Sequence, residues 1–162
     1  MDKLELLKLL ALILIANGTP VIMARLLGDR MAWPIDLDRR LADGHPVLGP
    51  SKTYRGLLSS LVVTAMAAPL LGLSATTGLT IAAFAMLGDL VSSFTKRRLG
   101  LRPSAMALGL DQIPEALFPL LAVSSRFELR PSQIIVLTLA FFALELILSW
   151  LFYLLHVRKQ PY

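Results

Sequence analysis

A helix that crosses a bilayer needs about 20 mostly apolar residues. This chain offers such segments at 4–27, 56–73, 76–94 and 133–156, with few or no charges in each. A fifth apolar segment, 113–125, is short and holds Pro114, Glu115 and Pro119, so it spans only with tilt or help from neighbours. The first is interrupted by Asn17-Gly18-Thr19-Pro20, which predicts a break there. Pro69 marks a mild break late in the second. Composition agrees with this solvent. Of 162 residues, 56% are hydrophobic and 17% charged, with a mean hydropathy of +0.68. Soluble domains carry roughly a quarter charged and under half apolar residues. The expected fold is an all-α polytopic membrane protein of about five transmembrane helices, one domain over residues 1–162.

Charge gives the orientation. The side holding the 25–55 loop, the 96–111 loop and the C-terminal tail carries twelve of the 16 Lys and Arg: Arg25, Arg30, Arg39, Arg40, Lys52, Arg55, Lys96, Arg97, Arg98, Arg102, Arg158 and Lys159. Lys3, Lys8, Arg126 and Arg130 are left for the other side. The positive-inside rule then puts the N-terminus outside, the C-terminus in the cytoplasm, and both long loops on the cytoplasmic face of the cell's inner membrane as a multi-pass protein. Lys3 and Lys8 precede an apolar run, as in a signal peptide. No small-x-small cleavage site follows them, and a retained helix is expected. The chain has no Cys, so disulfides and thiolate metal sites are excluded. Its net charge of +5 fits anionic headgroups of the lipid bilayer. No basic stripe with interleaved aromatics points to nucleic acid.

The first loop ends "DGHPVLGPSKTYRG", residues 43–56. Asp43-Gly44 predicts a tight turn. Ser51 or Thr53 predicts an N-cap for the second apolar helix, with Lys52 and Arg55 on its first turn. Free N–H groups and two cations there form a phosphate cradle, although snorkelling anchors at a helix end look the same. It is not a Walker A loop, which needs more glycines and a preceding strand.

The second loop raises the sharper question. In "GDLVSSFTKRRLG", residues 88–100, Asp89 sits inside an apolar segment, with Ser92, Ser93, Lys96 and Arg97 along the same helical stripe. A carboxylate in a spanning helix costs about 2.5–3.5 kcal/mol even on the lenient insertion scale, and it faces a partner or a watery cavity. A cation bridged to phosphates satisfies it, as does a bond to Asn17 or Thr19 on another helix. Downstream, Asp111 and Glu115 are spaced i, i+4 beside Gln112 and Pro114, so both carboxylates face one way at a helix start. With Asp89 they make two or three hard oxygen ligands, which suits Mg²⁺ held by one or two carboxylates and bridged to phosphates. Basic residues for phosphates and acids for a divalent ion, at one membrane face, fit phosphoryl or nucleotidyl transfer to a lipid.

Four motifs in order, "ANGTPVIMARLLG", "DGHPVLGPSKTYRG", "GDLVSSFTKRRLG" and "LDQIPEALFP", resemble the CDP-archaeol synthase family, relatives of the CDP-diacylglycerol synthases. The resemblance covers nearly the whole chain, and GPSKTYRG and SFTKRR are its most specific parts. It implies Mg²⁺-dependent reaction of CTP with a dialkylglycerol phosphate, giving a CDP-lipid and pyrophosphate. The residues matching its motifs are Asn17, Pro20, Asp43, Gly44, Gly49, Lys52, Thr53, Arg55, Gly56, Asp89, Ser93, Lys96, Arg97, Arg98, Asp111 and Gln112. The Lys-Asp pair that the diacylglycerol enzymes carry soon after their Ser-x-x-Lys-Arg is missing, because no carboxylate lies between Lys96 and Asp111. That points to the archaeol-type branch, or a bacterial offshoot of it.

On this reading Asp89, Asp111, Lys96 and Lys52 are catalytic, and Asp89, Asp111 and Glu115 hold the metal. Lys52 and Arg55 stabilise the leaving pyrophosphate; Lys96, Arg97 and Arg98 hold the lipid phosphate or the triphosphate. Asn17, Asp43, Gly49, Thr53, Gly56, Ser93 and Gln112 complete the substrate site. His45 and His156 are read as turn and interface residues. Glu145, mid-helix in the last segment, either bonds a neighbouring helix or marks a homo-oligomer contact. Two other readings stand beside this one. One is a small ion-coupled carrier using Asp89, Glu145 and a broken helix at Asn17–Pro20; the other is a non-catalytic lipid-binding member of the family.

Overall fold

Thr53 and Ser74 stop the loops and start helices. Each is extended, and its side-chain oxygen accepts an N–H three residues on, from Gly56 and Thr77 respectively. In the computed structural model, which describes residues 2–102 and 107–154, five helices follow: α1 (Lys3–Leu27), α2 (Tyr54–Leu70), α3 (Ala75–Arg98), α4 (Gln112–Ser124) and α5 (Pro131–Leu154). Among the described residues there is no strand, only isolated bridges at Pro34–Thr53 and Arg40–Pro46 within the first loop. His156, Arg158, Lys159 and the middle of the second loop, 103–106, lie outside the described residues.

By length and composition α1, α3 and α5 can each cross a membrane; α2 is a shorter apolar helix of 17 residues. At 1.5 Å per residue the 13 residues of α4 reach only about 20 Å, against a hydrocarbon core of about 30 Å.

The expected break at Asn17–Pro20 is absent: α1 runs through it. Pro20 has no N–H for the carbonyl of Ala16, and Ser60 of α2 supplies the missing donor, its Oγ giving a 2.7 Å bond to Ala16 O. Asn17 and Thr19 turn back on their own helix, bonding the carbonyls of Ile13 and Ile15. Neither reaches Asp89, and the broken-helix feature of the carrier reading is gone.

Between apolar helices in lipid, packing and backbone approach hold the bundle together more than hydrophobic burial does. Two glycines make α3 its centre. A Cβ on Gly78 would lie 2.4 Å from the carbonyl oxygen of Thr64 in α2, and one on Gly88 would lie 2.3 Å from that of Pro114 in α4. Leu9, Leu12, Ile13, Ile81, Leu120 and Phe141 fill the core beside them.

The ends of the bundle are distinct. At one, Lys8 lies beside Gly72, and Arg126 donates to Ser74 Oγ at 3.2 Å. At the other, the start of α2 meets the last turns of α3 and the start of α4. Successive helices α1 to α4 are therefore antiparallel, and the two long loops share one end.

Candidate catalytic site

The first loop is tied down before it reaches α2. Asp36 accepts from the N–H groups of Leu48 and Gly49 at 2.8 Å each, and from that of Asp38 at 3.2 Å. Burial alone would raise its carboxyl, but these backbone bonds win and hold it below the usual aspartate value. Gly49 has φ +96, a conformation other residues rarely adopt, so the strand-like approach to Lys52 turns there. The Asp43–Gly44 turn forms as expected, with Gly44 at φ +76. Asp43 accepts the N–H of His45, which, with Arg98 beside it, holds its carboxyl low. His45 is an exposed turn residue.

Lys52 then projects from the foot of α2 onto α3. Its Nζ donates to both oxygens of Asp89, at 2.6 and 2.8 Å, with about a fifth of each side chain exposed. Burial works against the ammonium. The attraction of Asp89, reinforced by Glu115 and Asp111, outweighs it and pushes Lys52 above the ordinary lysine value. Two turns along α3, Lys96 Nζ lies 2.7 Å from Asp111 Oδ1, and Asp111 Oδ2 accepts the N–H of Ala107. Gln112, 2% exposed, accepts from Gly109 N–H and shapes the entry to α4. Glu115, one turn on, is buried in hydrogen-bonding contact with Asp89 and within electrostatic reach of Glu145 and Lys52. Two carboxyl groups in contact need a shared proton or a cation between them.

The basic cluster splits in three directions. Lys96 pairs with Asp111. Arg97 points inward and is 2% exposed; its Nη2 bonds Arg102 O at 2.9 Å, while Nε and Nη1 have no partner among the described residues. Arg98 clips the first loop to α3, pairing with Asp43, donating to the carbonyls of His45 and Pro46, and lying over Phe94. Arg55 is also a clip, its Nη1 donating to Gly28 O and Arg30 O at the end of α1. Ser93 is buried on α3, whereas Ser92 bonds its own helix at Asp89 O.

The structure thus gathers Lys52, Asp89, Lys96, Arg97, Asp111, Gln112 and Glu115 at one end of the bundle. Arg55, Arg98, Asp43 and Gly49 frame that group through the loop, and Asn17 stays on its own helix. Asp36 was not singled out by the sequence reading, and only its place two residues before Asp38 in a turn-rich loop hints at its role. Among the described residues, no three acidic or imidazole side chains converge as a ready-made metal site. The carboxylates of Asp89 and Asp111 are held by lysines instead.

The CarS-like family, described as CDP-archaeol synthase, matches residues 3–162. A CDP-archaeol synthase of Sulfolobus acidocaldarius is 33% identical over 92% of this chain and 91% of its own length. One from Sulfurisphaera tokodaii is 32% identical over 92% and 90%, and one from Hyperthermus butylicus reaches 42% over 62% and 60%. A solved structure of an intramembrane enzyme for archaeal membrane lipids biosynthesis superposes with a TM-score of 0.78 at 33% identity, over 91% of this chain and 94% of that one.

Proposed function

The chain belongs to the CDP-archaeol synthase family, and from that premise we propose that it transfers CMP from CTP to a membrane lipid phosphate in a Mg²⁺-dependent reaction, releasing pyrophosphate. One observation carries the reading. Lys52–Asp89 and Lys96–Asp111, with Glu115 and a buried Arg97 holding two nitrogens unpartnered among the described residues, meet at one end of the bundle from three separated segments. Both phosphate-binding cations and metal-binding acids are there, in a setting of low dielectric where each acts strongly.

The chemistry needs positioning and charge neutralisation more than covalent help. An oxygen of the lipid phosphate attacks the α-phosphorus of CTP in line. The new P–O bond joins the lipid phosphate to CMP, the bond to the β-phosphate breaks, and pyrophosphate leaves with that electron pair. A phosphate dianion is already nucleophilic, so no strong general base is required. Arg97 offers the N–H groups of Nε and Nη1, unpartnered among the described residues, to the triphosphate, and Lys96 beside it exchanges Asp111 for a phosphate oxygen. Lys52 does the same with respect to Asp89. Arg55 and Arg98 act through the loop, holding it over the site.

The residues fit a divalent cation by their chemistry. Asp89 and Glu115 place two carboxyl groups in contact beside a single lysine, an excess of hard oxygen donors, and Asp111 lies within electrostatic reach of that same lysine. Mg²⁺ held by Asp89 and Asp111, with Glu115 beside them, would supply charge neutralisation on the phosphates. The site end of the bundle faces the cytoplasm, where CTP is available, and the protein lies in the cell membrane as a multi-pass enzyme.

Purified full-length protein given labelled CTP, Mg²⁺ and a panel of lipid phosphates, ether and ester, prenyl and acyl, is expected to move label into the organic phase only when Mg²⁺ is present. Folded protein that labels no lipid in the panel would overturn the reading, and solute flux in its place would establish a carrier.

A further inference from the structure

The first loop is held to the helices mainly through its backbone. Arg55 grips Gly28 O and Arg30 O, the N–H of Tyr54 bonds Trp33 O at 3.1 Å, and the N–H of Ile35 bonds Lys52 O at 2.8 Å. Asp36 and Arg98 pin the rest. None of these bonds uses the large apolar side chains of the segment. Met31, Trp33 and Leu37 stand 61%, 66% and 62% exposed. Two of them also sit in strained backbone: Met31 has φ +55 and Leu37 φ +51, the left-handed region that suits glycine. Facing water, each would combine strain with exposed carbon and gain no burial in return.

Their depth points to what covers them. Trp33 is bonded to Tyr54, the first residue of α2. At 1.5 Å per residue the 17 residues of α2 reach about 25 Å, just short of a hydrocarbon core of about 30 Å, so its first residue stands at headgroup level. Tyr54 is half-exposed there beside Trp33. Trp and Tyr are the side chains that collect at this level, with carbon against the lipid chains and the N–H or O–H among headgroups. The patch is continuous with carbon on the spanning helix α1, where Ile22 and Leu26 are exposed near its end. Charge agrees. Of the exposed residues from 25 to 41, Arg25, Arg30, Arg39 and Arg40 stand against Asp29 and Asp38, a positive surplus that suits lipid phosphates.

We propose that residues 31–37 dock into the bilayer at the site end of the bundle. Met31, Trp33 and Leu37 enter the interfacial layer of that leaflet, and the arginines around them meet headgroup phosphates. The partner is the bulk lipid surface, not a substrate molecule. Because Trp33 and Ile35 are bonded to Tyr54 and Lys52, the docked segment and the foot of α2 form one piece. The bilayer surface is thus a further support for the loop that carries Lys52. The inference concerns residues outside the catalytic group and stands whether or not the chain cytidylylates lipid.

Fluorescence of the full chain in nanodiscs of mixed zwitterionic and anionic phospholipid tests it. Trp150→Phe leaves Trp33 as the single tryptophan. Its emission is expected to be largely quenched by lipids brominated high on the acyl chain and to resist iodide in the buffer. Replacing Met31 and Leu37 by Gly removes side chain and strain together, and iodide quenching of Trp33 should then rise several-fold. Ready quenching by iodide in the parent overturns the proposal. Shielding from iodide and bromolipid alike overturns it too, because protein and not lipid would then cover the patch. Unchanged quenching in the double Gly variant defeats the anchoring role of Met31 and Leu37. The absence of native cysteine supplies a second measurement that decides even where the Phe variant fails to fold. A spin label on Leu37→Cys should collide more with oxygen dissolved in lipid than with a nickel chelate in water. One on Ala42→Cys, exposed beside the Asp43–Gly44 turn, should do the reverse. Equal nickel accessibility at the two positions defeats the docking.

Discussion

Gly88→Ala adds one methyl group to the place where α3 and α4 come closest. The new Cβ would stand 2.3 Å from Pro114 O, 2.5 Å from Pro114 C and 2.8 Å from Glu115 N. All three are backbone atoms, so no side chain can swing aside. Non-bonded heavy atoms settle at about 3.5–4.0 Å, and the two helices must therefore part by roughly 1 Å or more. Overpacking of this kind costs about 1–3 kcal/mol. Alanine's helix propensity returns about 1 kcal/mol, which leaves a modest net loss of stability. The effect on turnover is larger. Asp89 follows Gly88 and Glu115 follows Pro114, so the separation opens the contact between these two carboxyl groups. A misplacement of about 1 Å at reacting groups costs about 100-fold in rate. Cytidine transfer to lipid should fall by about that factor in protein that remains helical and unfolds at slightly milder conditions. Gly18→Ala is the control: nothing lies within 4 Å of its added Cβ, and it should retain activity. Wild-type turnover in Gly88→Ala would refute the claim that the α3–α4 approach sets the site.

Other perturbations separate charge from packing. Asp89→Asn keeps shape and removes the counter-charge of Lys52, so lipid cytidylylation should fall by roughly 100-fold or more with the circular dichroism unchanged; normal activity removes Asp89 from the site. Arg97→Met exchanges buried N–H groups, unpartnered among the described residues, for carbon, so stability to thermal unfolding should hold or rise by about 1–3 kcal/mol, while the KM for CTP climbs about tenfold or more; an unchanged KM for CTP refutes its phosphate role. For Asp36, the folded carboxyl lies below its unfolded value of about 3.9, so the order it gives the loop is fully present above about pH 4 and is lost as pH falls through the folded value. Amide exchange at Leu48 and Gly49 should accelerate across that acid range in the wild type and lack the transition in Asp36→Asn. Equal pH profiles for the two proteins would exclude this carboxylate as the anchor.

Helix positions were readable from apolar length because lipid leaves the backbone few other choices. Pro20 shows where local reading ends. A missing N–H predicts a break, and the donor that prevents it belongs to Ser60, 44 positions from the Ala16 carbonyl it satisfies. Asp89 shows the same limit from the charge side. Its need for a partner was legible, but the partner is Lys52, 37 residues upstream, brought over by a loop that Asp36 and Arg98 pin. Lys96, Arg97 and Arg98 read in sequence as one basic patch. Successive helical residues point about 100° apart, so the three were bound to serve different neighbours, and which neighbours depends on where α4 and the first loop lie. The approach at Gly88 was silent, since a glycine in an apolar helix looks alike whether its missing side chain faces lipid or a carbonyl.

The pairing of acids with lysines explains how so many charges persist between apolar helices. Asp89 and Asp111 each hold a lysine at hydrogen-bonding distance, and breaking such a buried pair by removing one member costs about 3–5 kcal/mol. A phosphate arriving alone would draw Lys52 and Lys96 toward itself and leave two carboxylates without a counter-charge. A positive ion arriving alone would strand the lysines instead. Only a ligand that brings both signs lets the lysines turn to phosphate oxygens while the carboxylates stay compensated. Arg97, already buried with Nε and Nη1 unpartnered among the described residues, needs no such exchange and so offers the first foothold for the anion.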